Sequence, residues 1–260
     1  MDKNEVIQAL KTAREVSKKR NFKQSIDLVI NVRNLNLKKP EQNIDLFLQL
    51  PVPTGRKTKI CALVDYDLEK QAKEFCDFVI LKDEFKKYEN KKKDLKKLGR
   101  EYDYFIAQAS IMPQIATLLG RILGPLEKMP NPKAGCVVPG NIATLKPLIE
   151  KLRNTIRLRT KNELVVRALI GSEEMKDDEV AENALIVYNT LLSNLPQEKH
   201  NVKEVLVKLT MGSSIVVGKK YEKNELELLI QNKEKPSKEP SLKKKMPKED
   251  EKNLGKENGN

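Results

Sequence analysis

Apolar residues recur along this chain with two periods, and the dominant period changes twice. Val6, Leu10, Ala13 and Val16 follow one helical face, while Lys3, Lys11, Arg14 and Lys18 fall elsewhere, which predicts a first helix. Asp2 and Glu5 have capping-box spacing, and Lys18-Lys19-Arg20-Asn21 puts positive charge where a helix C-terminus favours it. Residues 25–32 and 43–50 then read as strands, with Leu46, Leu48 and Leu50 alternating with Phe47 and Gln49. Pro51, Pro53 and Gly55 end that pattern.

From Lys57 the character is different. Lys59-Ile60-Cys61-Ala62-Leu63-Val64 is a short apolar run of the kind buried on both faces of a sheet. A helix over 68–75, a strand over 78–81, a basic helix over 82–100, a strand over 104–107 and a helix over 112–123 follow. A helix near 142–153 closes the segment, and the alternation predicts a parallel α/β unit. The first pattern then returns. Residues 155–160 and 163–170 read as strands with polar alternation, and 176–192 as an amphipathic helix with Val180, Ala184, Leu185, Tyr188 and Leu191 inward. A last strand carries Val205, Val207 and Leu209 on one face and Glu204, Leu206 and Lys208 on the other.

The expected fold class is therefore α+β with an inserted α/β unit, in two domains. The first, 1–58 and 155–219, is assembled from both chain ends; the second is 59–154. The two crossings, near Arg56–Thr58 and Asn154–Ile156, lie side by side and form a hinge. Residues 221–232 read as a short helix through Leu226, Leu228, Leu229 and Ile230, and residues 233–260 as a disordered charged stretch.

Charge sharpens this picture. The net charge is +13, from 50 Lys and Arg against 37 Asp and Glu. Residues 221–260 hold ten Lys and nine acids, so +12 falls on the part with enough apolar residues to fold. Such an excess favours a polyanionic partner. Cys61, Cys76 and Cys136 form no CxxC pair and read as reduced buried thiols of a cytoplasmic protein. With His200 as the single histidine, a zinc site lacks ligands, and no metal or cofactor is expected. The charged start MDKNEVIQALK is not a signal peptide, and the uncharged run 105–120 is too short and polar to span a bilayer. There is no GxGxxG after the first insert strand, where Val64-Asp65-Tyr66-Asp67 stands instead, and no GxxxxGK[ST]. Asp65 and Asp67 read as a strand-end acid and a helix cap, not an acid pair, and no catalytic residue is expected.

The candidate chemistry is recognition of nucleic acid. The strand ending at Leu209 runs into Thr210-Met211-Gly212-Ser213-Ser214. A hydroxyl, a soft thioether and a glycine at a strand end suit close contact with RNA; the same residues also make an ordinary hairpin turn. Arg157, Arg159 and Arg167 fall at odd spacing on the strands expected beside the closing strand and can share one face. The segment Gly120–Gly140, rich in proline and glycine with Arg121, Lys128 and Lys133, reads as a stiff basic loop for RNA or the partner domain, or as an ordered connection. The lysine-rich run 82–100 reads as a solvated helix face. The absence of Trp and scarcity of aromatics argue against a stacked-aromatic RNA platform.

These residues resemble a known family. Residues 20–25 (RNFKQS), 105–109 (FIAQA), 122–125 (ILGP) with 129–133 (MPNPK), and 208–212 (KLTMG) are similar to the large-subunit ribosomal proteins called L one, of archaeal and eukaryotic type. The resemblance spans residues 3–217. It implies a terminal-built split β-α-β domain plus a Rossmann-like three-layer insert on two hinge crossings. It also implies a monomer in the cytoplasmic ribosome's mobile lateral stalk, where the partners are large-subunit rRNA and, transiently, exit-site tRNA. Several members bind their own mRNA and repress translation. Carried over by position, the RNA-binding residues are Phe22, Ser25, Asp27, Arg159, Thr210, Met211 and Gly212, with Arg167 and Lys208 beside them. Arg121, Gly124, Lys128, Met129 and Lys133 are the loop candidates for RNA or the partner domain. One departure stands out. The family loop commonly reads Gly-Pro-Arg-Gly, an apolar residue, Met-Pro, whereas Leu126-Glu127-Lys128 stands here. A ribosome-assembly factor of the same fold, and a nucleotide-dependent enzyme on the insert, are the alternatives.

Overall fold

A computed structural model describes residues 1–37, 39, 42–139, 145–160, 163–222 and 225–226. Strand β1 (Ser25–Val32) alternates strictly, burying Ile26, Leu28, Ile30 and Val32 and leaving Ser25, Asp27, Val29 and Asn31 half-buried. It lies between two strands from the other end of the chain, β8 (Val165–Ser172) and β9 (Val202–Leu209), both antiparallel to it. The short β10 (Ile215–Val216) completes the order β10-β9-β1-β8. Neither end can therefore form this sheet without the other.

Helices α1 (Lys3–Val16) and α8 (Asp177–Ser193) share one core with the buried side of this sheet. The expected helix start is present: the Asp2 N–H donates to the Glu5 carboxylate at 2.9 Å. On α8, Val180, Ala184, Tyr188 and Leu191 are buried as expected, joined by Val187, whereas Leu185 is only partly buried. The stripe is rotated slightly because the helix also packs on α1, a contact that periodicity does not encode.

Strands β2 (Asp45–Gln49) and β7 (Thr155–Arg159) form a separate antiparallel pair. The Leu50 N–H donates to the Asn154 carbonyl at 2.9 Å, and the Thr58 hydroxyl donates to the Arg153 carbonyl at 3.4 Å. The outgoing and returning chains thus run side by side. Gly55, at φ +74°, makes the turn in the outgoing segment.

Between these crossings lies a parallel sheet ordered β4-β3-β5-β6, from β3 (Ile60–Val64), β4 (Phe78–Leu81), β5 (Tyr104–Gln108) and β6 (Val137–Val138). Every residue of β3 is buried. Cys61 and Leu63 face a core with Phe85, Leu95, Phe105 and Ile115; Ile60, Ala62 and Val64 face another with Leu68, Ala72, Ile149 and Leu152. The apolar run is continuous because both faces are covered. The covering helices are α2 (Glu69–Phe75), α3 (Phe85–Asn90), α4 (Lys92–Glu101), α5 (Met112–Leu118), α6 (Gly120–Leu123) and α7 (Leu145–Arg153). The expected helix over 112–123 divides before Gly120, a weak helix former. The expected basic helix over 82–100 divides likewise, and Lys93, Lys96, Lys97 and Arg100 of α4 are solvent-facing. Asp65 caps the turn after β3 by accepting from the Tyr66 N–H at 2.9 Å. All three cysteines are free thiols, and burial pushes Cys76 and Cys136 each up to about 11. Among the described residues no helix is long and apolar enough to cross a membrane. The start of the helix expected near 142, most of the helix expected over 221–232, and 233–260 lie outside the described residues.

Candidate nucleic-acid interface

Pairing of β1 with β9 sets Ile26 opposite Leu209, so the start of β1 meets the turn after β9. Hydrogen bonds fasten the two segments. The Thr210 N–H donates to the Ser25 carbonyl at 3.0 Å. The Thr210 hydroxyl accepts from the Ser25 N–H at 3.0 Å and donates to the Ser25 carbonyl at 3.2 Å. The Met211 N–H donates to Gln24 Oε1 at 3.2 Å, and the Gly212 N–H to the Leu209 carbonyl at 2.8 Å. The backbone groups where the segments meet are thus paired internally, and two large apolar side chains are half-exposed on the joined segments: Phe22 is 50% and Met211 52% exposed. Thr210 is a fastener here. Gly212 allows close approach to its own strand, because a Cβ there would lie a tight 3.0 Å from Leu209 Cβ and 3.1 Å from Leu209 N.

On the outer face of the same sheet, Asp27 sits across from Lys208 on one side and Leu169 on the other. Burial pushes the Asp27 carboxyl above its ordinary range, and the charge of Lys208 offsets only part of that. The native chain therefore binds more protons than the unfolded chain just above pH 3.8, and stability falls as pH rises through that window. Asp27→Asn removes this loss. Its expected result is a higher melting temperature at pH 7 and a flatter dependence of melting temperature on pH above 4, read by calorimetry. A lower melting temperature at pH 7 would show that the pairing with Lys208 outweighs burial.

The arginines do not form the single cluster expected from spacing. Arg157 and Arg159 stand together on β7, but β7 pairs with β2, not with β8 or β9. Arg167, opposite Val29 on β8, is exposed and bound to Glu163 at 2.8 Å. The period-two face held; the strand partner, chosen by tertiary packing, did not follow from it. Arg157 makes a two-pronged pair with Asp45 at 2.7 and 2.8 Å, lies 5.4 Å from the centre of the Phe47 ring, and holds the Asp45 carboxyl below its ordinary range. Arg159 pairs with Glu127. Both arginines line a cleft of about 370 Å³ between β7 and the insert, and Leu169, the neighbour of Asp27, lines it too.

The loop candidates divide. Lys128 is turned inward: its ammonium donates to the Tyr102 and Asp103 carbonyls at 3.0 and 3.1 Å, and burial lowers its pKa. Met129 packs on the insert core, and Gly124 is required because a Cβ would sit 2.7 Å from the Gly120 carbonyl oxygen. Lys133 is close enough to Asp45 to help lower its pKa, which sets it toward β2. Arg121 is solvent-exposed. One contributor escaped the sequence reading, and the acid of the departing loop found its partner only in the fold. Gln24, only 1% exposed, holds Met211, and lies inside the motif 20–25 where a buried amide has no distinctive signal. Glu127 reaches across the cleft. Among the described residues, no group of three or more His, Cys, Asp or Glu is placed to hold a metal ion.

An antiparallel sheet from both chain ends and a parallel sheet inserted between them define a mixed α/β protein, and its net charge of +13 favours a polyanionic partner. The family model described as the ribosomal protein L1p/L10e family matches residues 10–213. The large ribosomal subunit protein uL1 of Methanothermococcus thermolithotrophicus is 40% identical over 212 residues, 82% of this chain and 97% of its own. Those of Thermococcus kodakarensis and Methanothermobacter thermautotrophicus are 38% and 37% identical, covering 83% and 82% of this chain and 98% of their own in each case. The chain belongs to the ribosomal protein L1p/L10e family, whose members are structural proteins and not enzymes.

Proposed function

We propose that this chain is a structural component of the large ribosomal subunit that binds rRNA through the half built from its two ends. The observation carrying this reading is the fastened tip, where Thr210 locks onto Ser25 and Gln24 binds the Met211 N–H, with the Met211 and Phe22 side chains half-exposed on the joined segments. Apolar side chains on a rigid base suit packing against sugars and bases, while Lys208 and the arginines neutralise phosphate. Asp27 accepts a hydrogen bond from a 2′-hydroxyl, or orients a neighbouring cation. The two halves act as separate domains, a terminal split β-α-β unit and a Rossmann-like three-layer insert, hinged where the crossings run side by side. The insert swings in the lateral stalk as tRNA leaves the exit site, and the same RNA surface serves for repression on the chain's own mRNA. The names of its relatives, and their near-complete coverage, support a place in the large ribosomal subunit, where the chain acts as a cytoplasmic monomer.

The test is salt. Phosphate contacts by Lys208, Arg159 and Arg167 together give a slope of log affinity against log salt of about −2 to −3, from about −0.7 to −0.9 each. Titrating transcribed large-subunit rRNA at several salt concentrations reads this slope, and a flat response would sink the proposal.

A further inference from the structure

Glu127 has a backbone that non-glycine residues rarely hold, at φ +57°. The reason is local. The Glu127 N–H donates to the Gly124 carbonyl at 2.8 Å and the Lys128 N–H to the Leu123 carbonyl at 3.0 Å, the bond pair that ends a helix through a left-handed residue. Glycine usually occupies such a position, and glutamate offers nothing to the turn. What the side chain does is cross the cleft to β7, where it pairs with Arg159 and lies 3.9 Å from Arg157.

The charges there are matched by this acid. Arg157 already has its fork filled by Asp45. Arg159 lies across from Asp45 in the strand pair, but its own ion-pair partner is Glu127. Both partners keep about a third of their side-chain surface in water, 35% for Arg159 and 32% for Glu127. A carboxylate pair a third exposed is partly screened by water, so another anion can exchange into it. An RNA phosphate offers the same guanidinium an equivalent two-pronged anionic acceptor, and many phosphates reach the surface together.

We infer that Glu127 is an internal competitor for RNA phosphate: it latches the insert onto β7 through Arg159, and RNA that takes Arg159 releases the latch. RNA binding to the terminal half and opening of the cleft are then one coupled event. The coupling rests on the proposed role of Arg159 in binding RNA; the latch itself does not.

The experiment uses the full chain in four forms: unaltered, Glu127→Gln, Glu127→Gly and Arg159→Ala. Energy transfer between dyes on α1 and α4 reads the cleft, and affinity for transcribed large-subunit rRNA is measured in parallel. Without RNA, both Glu127 variants and Arg159→Ala should widen the cleft equally. Glu127→Gly also relaxes the turn, so a well-folded, widened Glu127→Gly protein excludes misfolding as the cause. Both Glu127 variants should bind RNA at least about fivefold more tightly, and Arg159→Ala more weakly, than the unaltered chain. Unchanged dye distances in the Glu127 variants overturn the latch. Widened distances with unchanged RNA affinity overturn the coupling. If no form binds the RNA, the RNA reading and the coupling fall together, while the dye distances still decide the latch.

Discussion

Met211→Asp is expected to reduce affinity for large-subunit rRNA by at least about 100-fold while the protein stays folded. Losing the burial of a methionine side chain costs about 1.5–3 kcal/mol, and the new carboxylate faces a polyanion. The fold should tolerate the change because the side chain is 52% exposed and the Gln24 bond to position 211 uses only the backbone N–H. Substitutions at such surface sites alter stability by about 0.5 kcal/mol or less. Met211→Leu, which keeps the apolar surface, should bind nearly as well as the unaltered chain. Filter binding and a melting curve on each variant separate the effects. Tight, sequence-selective binding by Met211→Asp would remove the tip from the site.

The largest expected loss of stability is at Asn183, a wholly buried amide on α8. Its side chain donates to the Val52 carbonyl at 3.0 Å and the Ile170 carbonyl at 2.9 Å, and accepts from the Val52 N–H at 3.2 Å. One residue therefore satisfies three backbone groups and ties the outgoing crossing segment to α8 and β8. Asn183→Leu leaves those groups unpaired, at about 1–3 kcal/mol for each one that stays dry. We expect a total loss of about 3 kcal/mol, or a melting temperature lower by about 6–12 °C. Chemical denaturation followed by circular dichroism measures it. A change below about 1 kcal/mol would mean that water replaces the amide at the crossing.

Much of this was legible in the residues. Strict alternation in β1 and the continuous apolar run of β3 announce a half-covered strand and a fully covered one. The change of period near Lys57 and its return near Thr155 mark where the parallel sheet begins and the crossings pass. The tip was visible as a cluster of residue types at a strand end. Gln24 was not, because a buried glutamine looks like a surface one until the strand register brings it to Met211. The arginine cluster was misjudged because spacing reports which side of a strand a residue occupies, not which strand lies next to it.

Local rules of period, capping and charge were enough to set most element types, the inserted order and the basic character of the folded part, since each acts over a few neighbouring residues. Long-range pairing alone decided that Thr210 locks onto Ser25, that Arg157 and Arg159 leave the main sheet to join β2, and that Glu127 meets Arg159 across the cleft. Those contacts join positions up to 185 residues apart, and their register follows from how whole faces bury together.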